Sequence, residues 1–138
     1  MANSMYVPLA MMPEDMNQLK TLISKAFDFF GLTAPGIKFY KSLETNANLL
    51  NKFIMIEGDT NDQQCWVSFS ECSADISEKE GYNYIADVQT RGSWVFAGIV
   101  AYGLCQFSGY VVFNDSGQLD GQNEYTPESL RSTLISRI

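Results

Sequence analysis

"SWVFAGIVAYGLCQFSGYVVFN", residues 93–114, is the longest stretch of the chain without a charge; Arg91 precedes it and Asp115 follows. By count it meets the roughly 20 apolar residues that a membrane-spanning helix needs. Its punctuation argues otherwise. Gln106, Ser108 and Gly109 interrupt it after about four helical turns, and "YVVF" beyond them is β-branched and aromatic before the turn "NDSG". A helix over residues 93–107 followed by a strand over 110–113 explains the change of character. The flanks also lack the Lys/Arg cluster that orients a span. Ser93 can cap this helix. Ala97, Ala101 and Cys105 form a smooth stripe at four-residue steps, while Trp94, Phe96, Ile99, Leu104 and Phe107 cover the rest. A helix apolar nearly all round is central to its domain or covered in part by a partner. The core-helix reading leads, and the surplus apolar surface leaves room for a protein partner or a homodimer.

Upstream, "MYVPLA" (5–10) reads as a strand that Pro8 would confine to a sheet edge. In "PEDMNQLKTLISKAFDFFG", Pro13 suits a first helical position and Gly31 a C-terminal cap. Met16, Leu19, Leu22, Ile23, Ala26, Phe27 and Phe30 recur at three- and four-residue steps, so this is an amphipathic helix laid on a sheet. "GIKFYKS" (36–42) is a short strand, and residues 43–51 are ambiguous between helical turn and loop. "KFIMIE" (52–57) is a continuous apolar run suited to a central strand. "QCWVSFSE" (64–71) alternates, with Cys65, Val67 and Phe69 on one face and Trp66, Ser68 and Ser70 on the other. The polar turn "GDTNDQ" joins the last two into a hairpin. "YNYIADVQ" (82–89) is a further strand. "TPESLRSTLISRI" closes the chain as a helix, capped by Thr126 with Pro127 first inside it. The expected fold is α+β: one domain over residues 1–138, an antiparallel-rich sheet with helices mainly on one face, in an order like β-α-β-β-α-β, plus a C-terminal helix. That order is shared with split βαβ, ferredoxin-like sandwiches.

The chain has 138 residues and no histidine. The lack of histidine excludes Ser–His–Asp and Cys–His catalysis and His-based metal sites. Cys65, Cys72 and Cys105 are odd in number and form no C-x-x-C pair, which reads as buried thiols in a reducing compartment. "MANSMYVPLAMMPEDM" has no basic n-region and its apolar run is broken by Pro8, so no signal peptide is expected and the cytoplasm is the expected location. No nucleophile elbow or phosphate loop appears. The reading is of a protein that is not an enzyme and takes no cofactor. From Ser116 an EF-hand register would place Pro127 at the bidentate position, so that motif is rejected; an irregular calcium site near residues 115–124 stays open.

Charge is where the sequence speaks about function. The net charge is −7, which disfavours direct contact with nucleic acid or an anionic membrane and favours basic partners. Between residues 57 and 87 stand Glu57, Asp59, Asp62, Glu71, Asp75, Glu78, Glu80 and Asp87, opposed only by Lys79. That segment carries the chain's whole net charge, and a docking surface for a basic protein is expected there. Its candidate residues are Glu57, Asp59, Asp62, Glu71, Asp75 and Glu78, with Trp66, Tyr82 and Tyr84 as aromatic anchors.

"FAGIVAYGLCQFSGYVVFNDSGQL" resembles a pattern in small bacterial toxin-immunity proteins, in which an Ala/Leu-rich helix ends in Gly, passes into a short strand and reaches an acidic turn. Gly109 and Asp115-Ser116-Gly117 occupy those places. The resemblance covers about a fifth of the chain and carries no site residue over. It implies a small cytoplasmic α+β protein that neutralises a toxin, for example a nuclease, by binding it. Two alternatives stand beside it: a phage-type inhibitor or nucleic-acid mimic with evenly spaced carboxylates, and a homo-oligomeric structural or small-ligand-binding protein with an apolar pocket or self-association surface on residues 94–107.

Overall fold

A computed structural model describes residues 4–40 and 48–138. Its elements run β1 (Ser4–Leu9), α1 (Met16–Phe29), β2 (Gly36–Phe39), β3 (Phe53–Glu57), β4 (Gln64–Glu71), α2 (Ala74–Ser77), β5 (Tyr84–Thr90), α3 (Trp94–Ser108), β6 (Val112–Phe113), β7 (Glu124–Tyr125) and α4 (Pro127–Arg137). The expected strand residues 41–42 and the ambiguous residues 43–47 lie outside the described residues, as do the first three of the N-terminal stretch.

The uncharged stretch divides where its punctuation says it should. Ser93 Oγ accepts from the Phe96 amide at 3.1 Å and starts α3, a cap worth about 1 kcal/mol. At the other end Gly109 is required by close approach: a Cβ there would lie 2.9 Å from Cys105 Cα and 3.0 Å from the Pro8 carbonyl oxygen. The 15 residues of α3 span roughly 22 Å, short of the ~30 Å hydrocarbon core of a bilayer. No described helix is long and apolar enough to cross a membrane.

The described strands form one seven-stranded sheet in the order β2-β3-β4-β5-β1-β6-β7. Every strand pair is antiparallel; the single parallel contact is an isolated bridge, Leu50 to Phe69. The molecule is therefore α+β, with a C-terminal helix as expected. Its strand order is not that of a ferredoxin-like split βαβ, in which one strand separates the two joined by the first helix; here β3, β4 and β5 all lie between β1 and β2. Strands β2 to β5 form a meander, and β1 lies beside β5 in the interior of the sheet rather than at an edge. Pro8 is tolerated there because the β1–β6 ladder is broken at that point. It consists of Tyr6 opposite Phe113 and a bridge from Leu9 to Gly109, and Pro8 falls between them.

Alternation decides what the sheet buries. Met5, Val7, Leu9, Ile54, Ile56, Cys65, Val67, Phe69, Ala86 and Val88 point to one face and are buried with α1, α3 and α4 in a single core. Helix α1 contributes the periodic side predicted for it, except that Phe30 is only partly buried. It begins three residues later than Pro13 suggests, because Asp15 is the cap and accepts from the Gln18 amide at 2.8 Å. It ends at Gly31, whose φ of 73° lets the Leu32 amide reach back to the Phe27 carbonyl at 2.9 Å. Helix α3 is buried from Phe96 to Cys105 by β1, β4, β5, α1 and α4. Its apolar surplus is thus covered by its own chain. Burying a side chain such as Leu104 stabilises by about 1.5–3 kcal/mol. In α4, Thr126 and Ser129 form a reciprocal capping box and Leu130 and Leu134 enter the core.

Candidate functional site

The other side of the meander carries no described helix. In β4 it presents Trp66, Ser68 and Ser70, and the register fixes their neighbours. Trp66 stands opposite Met55 on β3 and Gln89 on β5; Ser68 stands opposite Phe53 and Asp87. Tyr40 follows β2 and joins this face, its amide donating to the Phe53 carbonyl at 2.9 Å. The Tyr40 and Trp66 rings have centroids 4.6 Å apart, and Phe53 meets Trp66 edge-on at 5.9 Å. From the β5 side, the Arg91 guanidinium lies 4.4 Å from the Trp66 ring centre. Aromatic pairs of this kind contribute about 0.5–1.5 kcal/mol beyond their area, and an exposed cation–π contact about 0.5–1. They give the face a fixed shape with no covering helix among the described residues. Phe53 nonetheless remains 53% exposed.

Asp87 stands between Tyr6 and Ser68 on the same face. Its Oδ1 is buried and has no hydrogen-bond partner among the described residues. A desolvated carboxylate oxygen left unmatched is unfavourable until a donor reaches it. At the end of the face, Glu57 pairs with Lys38 at 3.6 Å; both are well exposed, so the pair contributes little to stability.

The nine residues expected to bind a partner are not gathered at one point. Glu57 and Trp66 lie on the open sheet face. Asp59 and Asp62 occupy the β3–β4 turn, on the rim of a cleft walled by Phe27, Val95 and Ile99. Glu71, Asp75 and Glu78 are exposed at the opposite end of β4, roughly 23 Å away at about 3.3 Å per residue. Tyr84 has the parity of Ala86 and packs against the core instead of facing out. Tyr82 stacks on Tyr110 at 4.8 Å, and Lys79, the one base of the acidic segment, sits 5.5 and 4.9 Å from those two rings. Tyr110 in turn donates its hydroxyl proton to the Ser77 carbonyl. Of these acids only Glu57 lies on the open face; Asp59 and Asp62 stand beyond one end of β4, by a cleft on the helical side, and Glu71, Asp75 and Glu78 at or beyond the other, while the centre of the face is Trp66 with Tyr40, Phe53 and Met55. Sequence reading missed the last three and Arg91. Phe53 and Met55 were hidden in an unbroken apolar run; their parity with Glu57, the one charge in β3, was the available signal.

Compared with protein families, with curated proteins and with solved structures, the chain matches none. Its chemistry must be read from its own side chains. Cys65 and Cys105 are buried free thiols. Burial drives the Cys65 pKa far upward and, with Glu128 adding to the effect, pushes that of Cys105 to about 12; neither offers a thiolate near neutral pH. Among the described residues no group of three His, Cys, Asp or Glu side chains is placed to hold a metal ion. In the 115–124 segment, Asp120 accepts from the hydroxyls of Tyr125 and Thr133 and from the backbone and side chain of Gln122. Partial burial works against its charge, but these bonds outweigh burial and lower its pKa. Asp120 is thus engaged in holding the loop to β7 and α4.

Proposed function

We propose that this chain is a cytoplasmic, non-enzymatic binding protein that neutralises a basic protein partner, in the manner of toxin-immunity proteins, and that it does so through the open face of β2–β5. The observation that carries the reading is the make-up of that face. An aromatic centre with a half-exposed Phe53 shares the face with Asp87, whose buried Oδ1 has no partner among the described residues, and further acids stand beyond both ends of β4. Protein interfaces favour this plan, with aromatic anchors at the centre and a polar rim. The rim acids would speed encounter with a basic surface. An incoming Arg or Lys would give Asp87 the donor it lacks, with the strength of a charge-assisted bond.

A nucleic-acid mimic is favoured less, because phosphate-like spacing needs carboxylates along the whole face. Here its middle is aromatic, and Lys38 and Arg91 are part of it.

The test is a rescue assay. The product of the gene adjacent to this one is expressed in a host with and without the chain. The proposal expects growth arrest by that product alone and rescue by the chain. It also expects rescue to fail when Asp59, Asp62, Asp75 and Glu78 are all changed to Lys in a variant that still melts cooperatively. Full rescue by that variant would refute the role of the acidic rim; absence of toxicity and of binding would refute the partner assignment.

A further inference from the structure

On the helical side of the sheet, α1 and α3 cross where Gly103 meets Ala26. A Cβ on Gly103 would lie 3.0 Å from Ala26 Cβ and 3.3 Å from the Leu22 carbonyl oxygen. Beside the crossing lies a groove of about 290 Å³. Phe29 and Phe107 line it, and Phe29 is 55% exposed although its ring lies 6.0 Å from that of Tyr102. A large exposed aromatic next to a concavity costs apolar hydration that an occupant would relieve.

None of the polar groups that line the groove is negatively charged. Lys25, Tyr102 and Gln106 line it, and no carboxylate does. Gln106 Nε2 donates to Tyr102 Oη at 3.2 Å, while the Tyr102 hydroxyl proton has no protein acceptor among the described residues. The groove therefore offers an ammonium and a phenol proton beside apolar walls. On a chain of net charge −7, this is a local reversal of the general charge.

We propose that the groove between α1 and α3 binds a small amphipathic carboxylate, its tail against Phe29 and Phe107 and its carboxylate on the Lys25 ammonium and the Tyr102 hydroxyl. Ligand clefts typically enclose about 300–1,000 Å³, so this one suits a tail of about eight carbons rather than a nucleotide or a long-chain lipid. Charge-assisted bonds from Lys25 supply the preference for an anionic head, and the long stem of Lys25 can lie along the apolar wall with its charge in water. The site is independent of the sheet face and of any partner bound there.

The experiment is calorimetric titration of the full chain with octanoate, octylammonium and 1-octanol. Octanoate should bind, with both other ligands weaker by about tenfold or more, a factor worth about 1.4 kcal/mol. Lys25→Gln should remove the preference for octanoate, and Lys25→Glu should invert it in favour of octylammonium. Phe29→Ser should weaken all three. Lys25 and Phe29 are exposed, so these variants should melt as the parent does, and Lys25→Glu should rescue cells as well as the parent, which separates this site from the sheet face. The proposal is overturned by no octanoate binding at millimolar concentration, by equal affinity for the three head groups, or by an unchanged order of affinities in Lys25→Glu.

Discussion

The two sides of β4 each carry a large aromatic, Phe69 and Trp66, with opposite fates. Cys65, Val67 and Phe69 are wholly buried against the helices. One residue out of step, Trp66 is only part-buried, held by Tyr40, Phe53 and Arg91 with no described helix over it. The first side is closed by the chain itself and serves stability. The second is shaped but left open, which is what a binding surface requires. Helix α3 teaches the same lesson from the other direction: nearly all apolar, it is buried from Phe96 to Cys105, and over that span its hydrophobicity reports a central place in the domain.

Substitutions on the two sides should separate stability from binding. The largest effect belongs to the closed side. Phe69→Ala should lower unfolding free energy by about 3–5 kcal/mol, measured by urea denaturation, and any loss of rescue should follow the unfolded fraction. If it leaves stability intact, the core is misassigned.

Strand β7 repeats the contrast, with Tyr125 buried and Glu124 exposed, and pH probes it. Burial, together with the hydrogen bond to Asp120, pushes the Tyr125 pKa from 10.0 to about 12. The folded value is the higher, so this contribution is complete below pH 10 and is lost as pH rises through about 12. Buried Cys65 and Cys105, also raised from 9.0, start an alkaline loss of their own from pH 9. Tyr125→Phe should flatten the fall in stability between pH 10 and 12 and leave the slope between 9 and 10 as it was. An unchanged slope above pH 10 would contradict the assignment.

On the open side the stability effects shrink. Trp66→Ala removes two ring contacts and the Arg91 stack, and should cost about 1–2 kcal/mol. Phe53→Ser removes only the edge-on contact with Trp66 and should cost about 0.5–1 kcal/mol, because half of its surface is already in water. A larger cost in thermal melts would mean that Phe53 is structural.

Much of this contrast is legible in the sequence, since strand alternation and helix periodicity follow burial directly. The bounds of β4, the side of α1 that enters the core and the division of the uncharged stretch at Ser108-Gly109 all follow from that rule and from local caps. What is not legible has physical causes. Helix α2 and strand β7 have four and two residues, too few to carry a period. The placement of β1 beside β5 is a long-range pairing that no local pattern encodes, and Pro8 pointed to an edge because its gap in the ladder was invisible. Proximity in sequence grouped the acids, while the length of β4 holds them apart. Tyr84 could have been set inside from its parity with Ala86 and Val88; Asp87 could not have been singled out, because an unpartnered oxygen exists only in three dimensions.

The most direct measurement is the affinity of the rescued partner for the Phe53→Ser and Asp87→Asn variants, each compared with the parent by titration. If the open face is the binding surface, each should bind at least about tenfold more weakly, about 1.4 kcal/mol, with Phe53→Ser still melting cooperatively. Parent-like affinity in both variants would contradict the account and move the partner to another surface of the molecule.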